Sequence, residues 1–188
     1  MGSAYMAYFF FDFKDTGKQD AHALLCSLVV QLSYQSESFC DILFACSSDH
    51  QSGSRQPSDR TLTQCLVDML RVSPQVPIYL ILDAVDECPH TIGISSSRDK
   101  VLALVEMLAK LNLSNLHLCI TSRPEIDIRT FLEPFASNRI SLHDQSGQKK
   151  DIVDYVEYVV HSDMNMRRWR EEDKKVVIDV LSEKADGM

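Results

Sequence analysis

Three acidic residues, Asp83, Asp86 and Glu87, follow an apolar run at 78–82 and are the groups best placed for chemistry. Five consecutive apolar residues do not alternate between two faces, so we expect both faces of this strand to be covered, as in a parallel sheet. Ligands of open α/β sheets bind at the carboxyl ends of such strands. There, one carboxylate can hold a magnesium ion and another can orient an attacking water, which predicts nucleotide hydrolysis.

This pattern has the form of a Walker B element, although a solvated acidic turn after a strand is the alternative interpretation. A second signal lies at Thr121-Ser122-Arg123-Pro124, directly after another predicted strand. An arginine at the same edge of the sheet can sense a terminal phosphate, because its planar fork fits phosphate oxygens. The alternative is structural: Arg123 pairs with Asp86 or Glu87, and Ser122 caps a helix that begins at Pro124.

The elements that must position these residues alternate between strands and helices. Helices with apolar stripes are expected from Ala21 to Leu32, at Ser38–Cys46 and after a Ser58 cap. Further helices are expected from Val101 to Leu111, in a short segment that ends at Glu133, and at about 148–161 and 171–185. The predicted strands are Ala4–Phe13, Ile78–Asp83, Leu116–Thr121 and a weaker Asn138–His143. Strands separated by helices require crossover connections, so the fold class is α/β with a mostly parallel sheet.

Composition narrows the function classes. The 188 residues suit one domain, and 45% hydrophobic residues are ordinary for a globular protein. A net charge of −8 argues against nucleic acid as a partner. No apolar run reaches the ~18–20 residues of a membrane span, and no signal peptide is present, so we expect no membrane partner and a cytoplasmic protein. The six cysteines form no Cys-x-x-Cys pair, so we expect no disulfide framework or zinc site and mostly buried, reduced thiols.

Four stretches together resemble a known family. They are Phe-Phe-Phe-Asp-Phe-Lys-Asp at 9–15, Leu-Ile-Leu-Asp-Ala-Val-Asp-Glu-Cys-Pro at 80–89, Ile-Thr-Ser-Arg-Pro-Glu at 120–125 and Glu-Lys-Ala-Asp-Gly-Met at 183–188. Their succession resembles the NACHT domain of fungal NLR-like proteins, which are signal-transducing P-loop NTPases of the STAND class. The likeness runs from about Ala4 to Met188, and Met1-Gly2-Ser3 is typical of an expression remnant.

The resemblance implies a three-layer, P-loop NTPase-like sheet and a role in innate immunity. It implies that Asp83 is the magnesium-side, cofactor-binding carboxylate, that Asp86 or Glu87 orients water, and that Arg123 stands at the sensor position. ATP or GTP with magnesium would be the cofactor of the full-length parent, and other NACHT domains or a second copy of the chain would be the partners. Helices 148–188 would lead toward the lid region.

One departure from the family matters more than these agreements. A NACHT domain needs a glycine-rich phosphate loop and its strand before Phe9-Phe10-Phe11, and this chain begins at that strand. Gly17-Lys18 is a poor substitute, because Gln19 stands where Ser or Thr must ligate magnesium and Asp12 stands where the leading Gly should be. Asp15 would also repel phosphate. We therefore expect no cofactor to bind tightly to this chain alone.

Three function classes remain: a NACHT NTPase fragment, a degenerate NACHT module for interaction or oligomerisation, and an unrelated hydrolase using Cys88 and His90. The family order of strands is fifth, first, fourth, third, second. Without the first strand, Leu116–Thr121 has an unpaired edge, which readily recruits another strand. We expect Asn138–His143 to move inward and pair with it; the alternative is that a second copy covers the edge as a dimer.

Overall fold

The computed structural model describes residues 4–48, 56–72, 75–90, 96–141 and 146–184. The chain divides into two compact units, the first ending at Ala136 and the second beginning at Ser137. The strands are β1 (Tyr5–Phe10), β2 (Ile78–Asp83) and β3 (Leu116–Ile120). The α-helices are α1 (Ala21–Ser33), α2 (Glu37–Ser48), α3 (Asp59–Val72), α4 (Ser97–Lys110), α5 (Ile126–Leu132), α6 (Ser146–Ser162) and α7 (Glu171–Lys184).

The sheet of the first unit is parallel and has the order β1-β2-β3. Its register pairs Ala7 with Leu80 and Leu80 with Leu118. Helices α1, α2 and α3 lie in the connection between β1 and β2, and α4 lies in the connection between β2 and β3. The predicted α/β fold with a parallel sheet is therefore confirmed.

The core lies on one face of this sheet. Strand residues at alternate positions point into it, and the apolar stripes of α1, α3 and α4 pack onto them, as their helical spacing predicts. Its most deeply buried members include Ala7, Leu24, Leu28, Leu32, Leu66, Met69, Ile78, Leu80, Leu82, Val101 and Leu108.

The other face of the sheet exposes its side chains. Met6 is 50% exposed, Phe10 52% and Tyr79 42%. The expectation that both faces of the β2 strand are covered is therefore wrong at Tyr79. Right-handed crossovers between strands in sequential order place their helices on the same face, so the helices connecting these strands leave the opposite face uncovered.

Several predicted helix starts are confirmed by their caps. Ser58 Oγ accepts a hydrogen bond from Thr61 N at 3.2 Å, as expected. Asp20 caps α1 through Ala23 N, 2.8 Å away. The Ser122 cap of the structural alternative is wrong, because α5 begins at Ile126 and Ser122 Oγ donates to the Arg123 carbonyl instead.

The predicted fourth strand is wrong where it is described. Residues 138–141 form no strand, and 142–143 lie outside the described residues. Inward movement of that segment onto β3 is therefore not observed, and β3 forms one edge of the sheet. A run of β-prone residues does not form a strand unless a neighbouring strand accepts its backbone hydrogen bonds.

The outer edge of β1 is closed by two side chains of α1. Gln31 accepts from Tyr8 N at 3.1 Å and donates to Tyr8 O at 2.7 Å. Gln35 accepts from Met6 N at 2.9 Å and donates to Met6 O at 2.7 Å. These carboxamides bond to the strand as a neighbouring backbone would, and we call this the closed edge.

The outer edge of β3 has no such cover. Asn115 O accepts from β2 at 2.8 Å and Thr121 N donates to β2 at 2.9 Å, so the odd-numbered residues bond inward. In a parallel ladder the residues between them, Leu118 and Ile120, direct their N–H and C=O groups outward. Among the described residues these groups have no hydrogen-bond partner. We call this the open edge.

The six cysteines are all free thiols. Only Cys65 and Cys88 are buried, while Cys40 and Cys119 are exposed, so the expectation of mostly buried thiols is wrong. Cys119 is exposed because it lies on the uncovered face of β3.

In the second unit, α6 and α7 pack against each other. Val160 and Ile178 are buried. The two predicted helices near 148–161 and 171–185 are confirmed, and their relation to a lid stays a prediction. Across the described parts of both units, no helix combines the length and the apolarity that a membrane crossing requires.

Candidate functional site

The candidate site lies at the carboxyl end of the central strand, where β2 ends at Asp83. The next residue, Ala84, has a φ of 57° in the left-handed region, which turns the chain sharply into a short 3-10 segment, Val85–Glu87. For a residue with a Cβ this conformation is less stable than the right-handed one by about 1 kcal/mol, and the small side chain of alanine limits the steric conflict. The strand therefore ends in a tight acidic turn.

Thr121, which follows β3, fastens this turn to the neighbouring strand. Its hydroxyl donates to Asp83 Oδ1 at 2.5 Å and accepts from Ala84 N at 3.0 Å. Its carbonyl accepts from Val85 N at 3.1 Å. Asp83 is thus oriented by a neutral hydroxyl, which leaves its negative charge without a cationic partner at this contact.

Asp86 and Arg123 are brought together, as the structural alternative predicted. Asp86 Oδ1 accepts from Arg123 N at 2.9 Å, and Asp86 Oδ2 lies 3.5 Å from Arg123 Nε. The Asp86 side chain is 8% exposed, whereas that of Arg123 is 81% exposed. Asp86 therefore serves as an anchor for the Arg123 loop, while the guanidinium remains accessible to solvent.

Glu87 contacts a second segment. Its Oε2 accepts a hydrogen bond from Phe13 N at 3.1 Å, in the loop after β1. The three carboxylates therefore contact two segments: Asp83 and Asp86 contact the one that follows β3, and Glu87 contacts the one that follows β1. None of these contacts tests the predicted catalytic roles of Asp86, Glu87 and Arg123, which stay predictions.

Asp83 and the Thr121 hydroxyl are hard oxygen donors, which suit magnesium. Within the described ranges, no three His, Cys, Asp or Glu side chains form a cluster that could hold a metal ion. A magnesium ion that arrives with nucleotide needs only one or two carboxylates beside phosphate oxygens and water. The residues present therefore fit a nucleotide-borne ion rather than a metal site made by protein alone.

The Gly17-Lys18 turn has its amides occupied. Asp15 Oδ1 accepts from Gly17 N at 2.9 Å, and the Asp15 carbonyl accepts from Lys18 N at 2.9 Å. The first turn of α1 is capped by the Asp20 carboxylate. A phosphate would have to displace carboxylates from both places, so neither is a ready anion site.

Cys88 does not have the surroundings of a nucleophile. Its thiol is fully buried and donates to Gln19 O at 3.0 Å. Burial raises the pKa of Cys88 to about 11, so it is a neutral thiol at physiological pH. His90 Nδ1 instead lies 3.8 Å from Asp127 Oδ2, and the hydrolase alternative has no support in these contacts.

Sequence reasoning missed Arg98 in the first turn of α4. Its Nε donates to Cys88 O at 2.9 Å, its Nη2 to Asp86 O at 2.5 Å, and its Nη1 to Asp127 Oδ2 at 3.0 Å and also to Glu125. Burial opposes its charge, but Asp127 and Glu125 together raise the pKa of Arg98 above its ordinary value. Its spacing could have revealed that it is buried, since Arg98 precedes Val101 by three residues and so lies on the buried stripe of α4.

The first unit is thus an α/β domain in which two neighbouring parallel strands end in an acidic turn and an arginine loop. The chain belongs to the Nephrocystin 3, N-terminal family, whose model matches residues 2–123. That match spans all three strands and ends at Arg123. Searches of curated proteins and of solved structures found no match to this chain.

Proposed function

We propose that this chain is the acidic and sensor part of a NACHT-type nucleotide-binding signalling domain, of the kind found in fungal NLR-like proteins. The observation that carries the proposal is Asp83, which ends the central parallel strand and is oriented by Thr121 from the next strand. This is the edge at which α/β sheets bind ligands. ATP or GTP with magnesium is the proposed ligand of the full-length protein. The protein is proposed to act in the cytoplasm in a defence response.

The contacts suggest how each residue acts. Magnesium, when nucleotide brings it, neutralises charge on the phosphate oxygens. In this proposal Asp83 holds that ion and Glu87 orients water. Arg123 has an exposed guanidinium, and we propose that it binds a phosphate once its contact with Asp86 opens. Asp86 therefore competes with phosphate for Arg123, and this competition is the proposed switch.

The same contacts argue that the chain alone binds nucleotide weakly. Tight binding of β- and γ-phosphates needs several free backbone amides in a loop. The amides of Gly17 and Ala23 are bonded to Asp15 and Asp20. Calorimetric titration of the 188-residue chain with ATP or GTP plus magnesium should show no micromolar affinity, and such an affinity would contradict this expectation.

The function itself is tested in the full-length protein. There, Asp83→Asn should lower magnesium-dependent hydrolysis by about a hundred-fold or more, because the ion loses its charged ligand. The matched control is Asp41→Asn, which makes the same change on the exposed surface of α2. Equal hydrolysis by the wild type and Asp83→Asn, or no hydrolysis and no nucleotide-dependent change in the wild type, would overturn the proposal.

A second candidate function is a degenerate NACHT module that works by interaction or oligomerisation. The open edge favours it, because Leu118 and Ile120 direct backbone donors and acceptors outward without a described partner. A second copy of this chain, or another NACHT domain, could add a strand there. Light scattering would then give twice the monomer mass of 21.3 kDa, and a monomer at all concentrations would count against self-pairing.

A further inference from the structure

We propose that Arg98 is the positioning residue of this site, and that its guanidinium holds the acidic turn and the Arg123 loop in one fixed arrangement. The proposal rests on the proposed function, because the site it positions is that of Asp86 and Arg123. Arg98 lies on α4, outside the acidic and arginine motifs, and its side chain is 7% exposed.

The guanidinium contacts both segments at once. On one side, Nε and Nη2 donate to the carbonyls of Cys88 and Asp86, in and just after the acidic turn. On the other side, Nη1 donates to the carboxylates of Glu125 and Asp127, which follow β3. A planar fork with donors in fixed directions can serve these acceptors together, whereas the single ammonium of lysine cannot match their spread.

These contacts close a ring through the backbone. Arg98 holds the Asp86 carbonyl, and the Asp86 carboxylate holds the Arg123 amide. Glu125 N donates to the Arg123 carbonyl at 2.8 Å, and the Glu125 carboxylate returns to Arg98. Asp86 is thus held from its main chain by Arg98 and from its side chain by the Arg123 loop. Breaking either contact should weaken the other.

The consequence concerns what remains when Arg123 leaves Asp86 for a phosphate. The Arg123 amide and Thr121 keep their bonds to the acidic turn in that case. Arg98 adds a link farther along the loop, since its contacts with Glu125 and Asp127 do not involve the Arg123 guanidinium. The proposed switch can therefore move one side chain while the two backbones stay in register.

The test is hydrogen exchange of the whole chain, followed by mass spectrometry. Arg98→Met should accelerate exchange about ten-fold or more in peptides covering 84–88 and 121–125. Both segments lose the guanidinium that binds their carbonyls and carboxylates, so their amides become exposed to solvent more often. Peptides from β1 and α1 should keep their wild-type rates. Arg98→Lys should give an intermediate rate in both segments, because it keeps the charge but loses the fork. The control is Lys110→Met, which removes an exposed cation from the same helix, outside the ring.

A second variant keeps the proposal testable if Arg98→Met fails to fold. Glu125→Gln with Asp127→Asn removes the charged partners but leaves the Arg98 bonds to the two carbonyls. It should accelerate exchange in 121–125 more than in 84–88. Unchanged rates in both segments, or equal acceleration of all peptides, would overturn the positioning role. Exchange needs no nucleotide, so this result is separate from the hydrolysis test of the proposed function.

Discussion

The two edges of the sheet contrast sharply. At the closed edge, Gln31 and Gln35 bond to both backbone groups of Tyr8 and Met6. The spacing explains the fit: four residues of a helix rise about 6 Å, and two residues of a strand about 6.6 Å. Two glutamines one helical turn apart therefore meet two outward-facing strand residues.

At the open edge, β3 is followed by the Arg123 loop rather than by a helix that returns along it. Its outward groups lie next to the strand end that contributes Thr121 to the candidate site. The fold thus completes the edge of β1 with its own side chains, and it leaves the edge of β3, beside the site, able to pair with a strand.

The largest expected effect separates the inner and outer sides of β3 itself. By the register, His117 N–H bonds toward β2, so His117→Pro removes a ladder hydrogen bond and should cost about 3 kcal/mol or more in the free energy of unfolding. Leu118→Pro removes an outward N–H, which makes no bond to β2, together with a half-buried apolar side chain. It should therefore lower the free energy of unfolding by only about 1–2 kcal/mol. Urea denaturation measures both.

Leu118→Pro also tests the open edge. If strands pair there, this variant should remain monomeric at concentrations where light scattering detects wild-type association, because proline cannot donate a hydrogen bond. Association that persists in Leu118→Pro would show that the copies meet through another surface. Equal destabilisation by the two prolines would show that the edge assignment of β3 is wrong.

A smaller effect is expected from opening the closed edge. The double variant Gln31→Leu, Gln35→Leu removes four hydrogen bonds to β1 and should lower the free energy of unfolding by about 2 kcal/mol, since these bonds compete with water. It should also increase association, because the sheet then has two open edges. Gln64→Leu is the matched control, because the Gln64 side chain on α3 bonds to Asp68 within its own helix. Similar losses in both variants would mean that the glutamines do not protect the edge.

The smallest expected effect is a pH-dependent loss of stability at Cys88, whose thiol bonds to the loop after β1. Cys88 donates its thiol proton to Gln19 O, and burial raises its pKa from 9.0 to about 11. A raised pKa of an acid means that the folded state favours the neutral thiol. This contribution is therefore complete below pH 9 and is lost as pH rises toward 11. We expect a loss of at most about 2 kcal/mol across that window.

Cys88→Ala isolates this contribution, since other groups that titrate at high pH are common to both proteins. The difference in unfolding free energy between wild type and Cys88→Ala should shrink from pH 9 to pH 11. Self-association through the open edge should not change with Cys88, because that thiol bonds to the loop after β1. A constant difference across the window would contradict the buried-thiol assignment.

Much of the fold was predictable because its signals are local. The stripe of α1 and the Ser58 cap each depend on a few neighbouring residues, and both were placed correctly. The predicted strand at 138–143 failed over its described part because a strand needs a partner that no local pattern specifies. The prediction that both faces of β2 are covered failed at Tyr79 for a similar reason, since the direction of the crossovers decides which face receives helices.

The candidate site divides in the same way. Local patterns place Asp83, Asp86 and Glu87 after one strand and Arg123 after another. Because parallel strands end at the same edge of a sheet, the sequence alone predicts that these residues share that edge. The folded chain adds the bond of Asp86 to Arg123, the bond of Glu87 to the loop after β1, and the link that Arg98 makes between two segments. No local pattern decides these contacts, because hydrogen bonds between distant segments depend on side-chain direction and burial, which are set when the helices pack on the sheet.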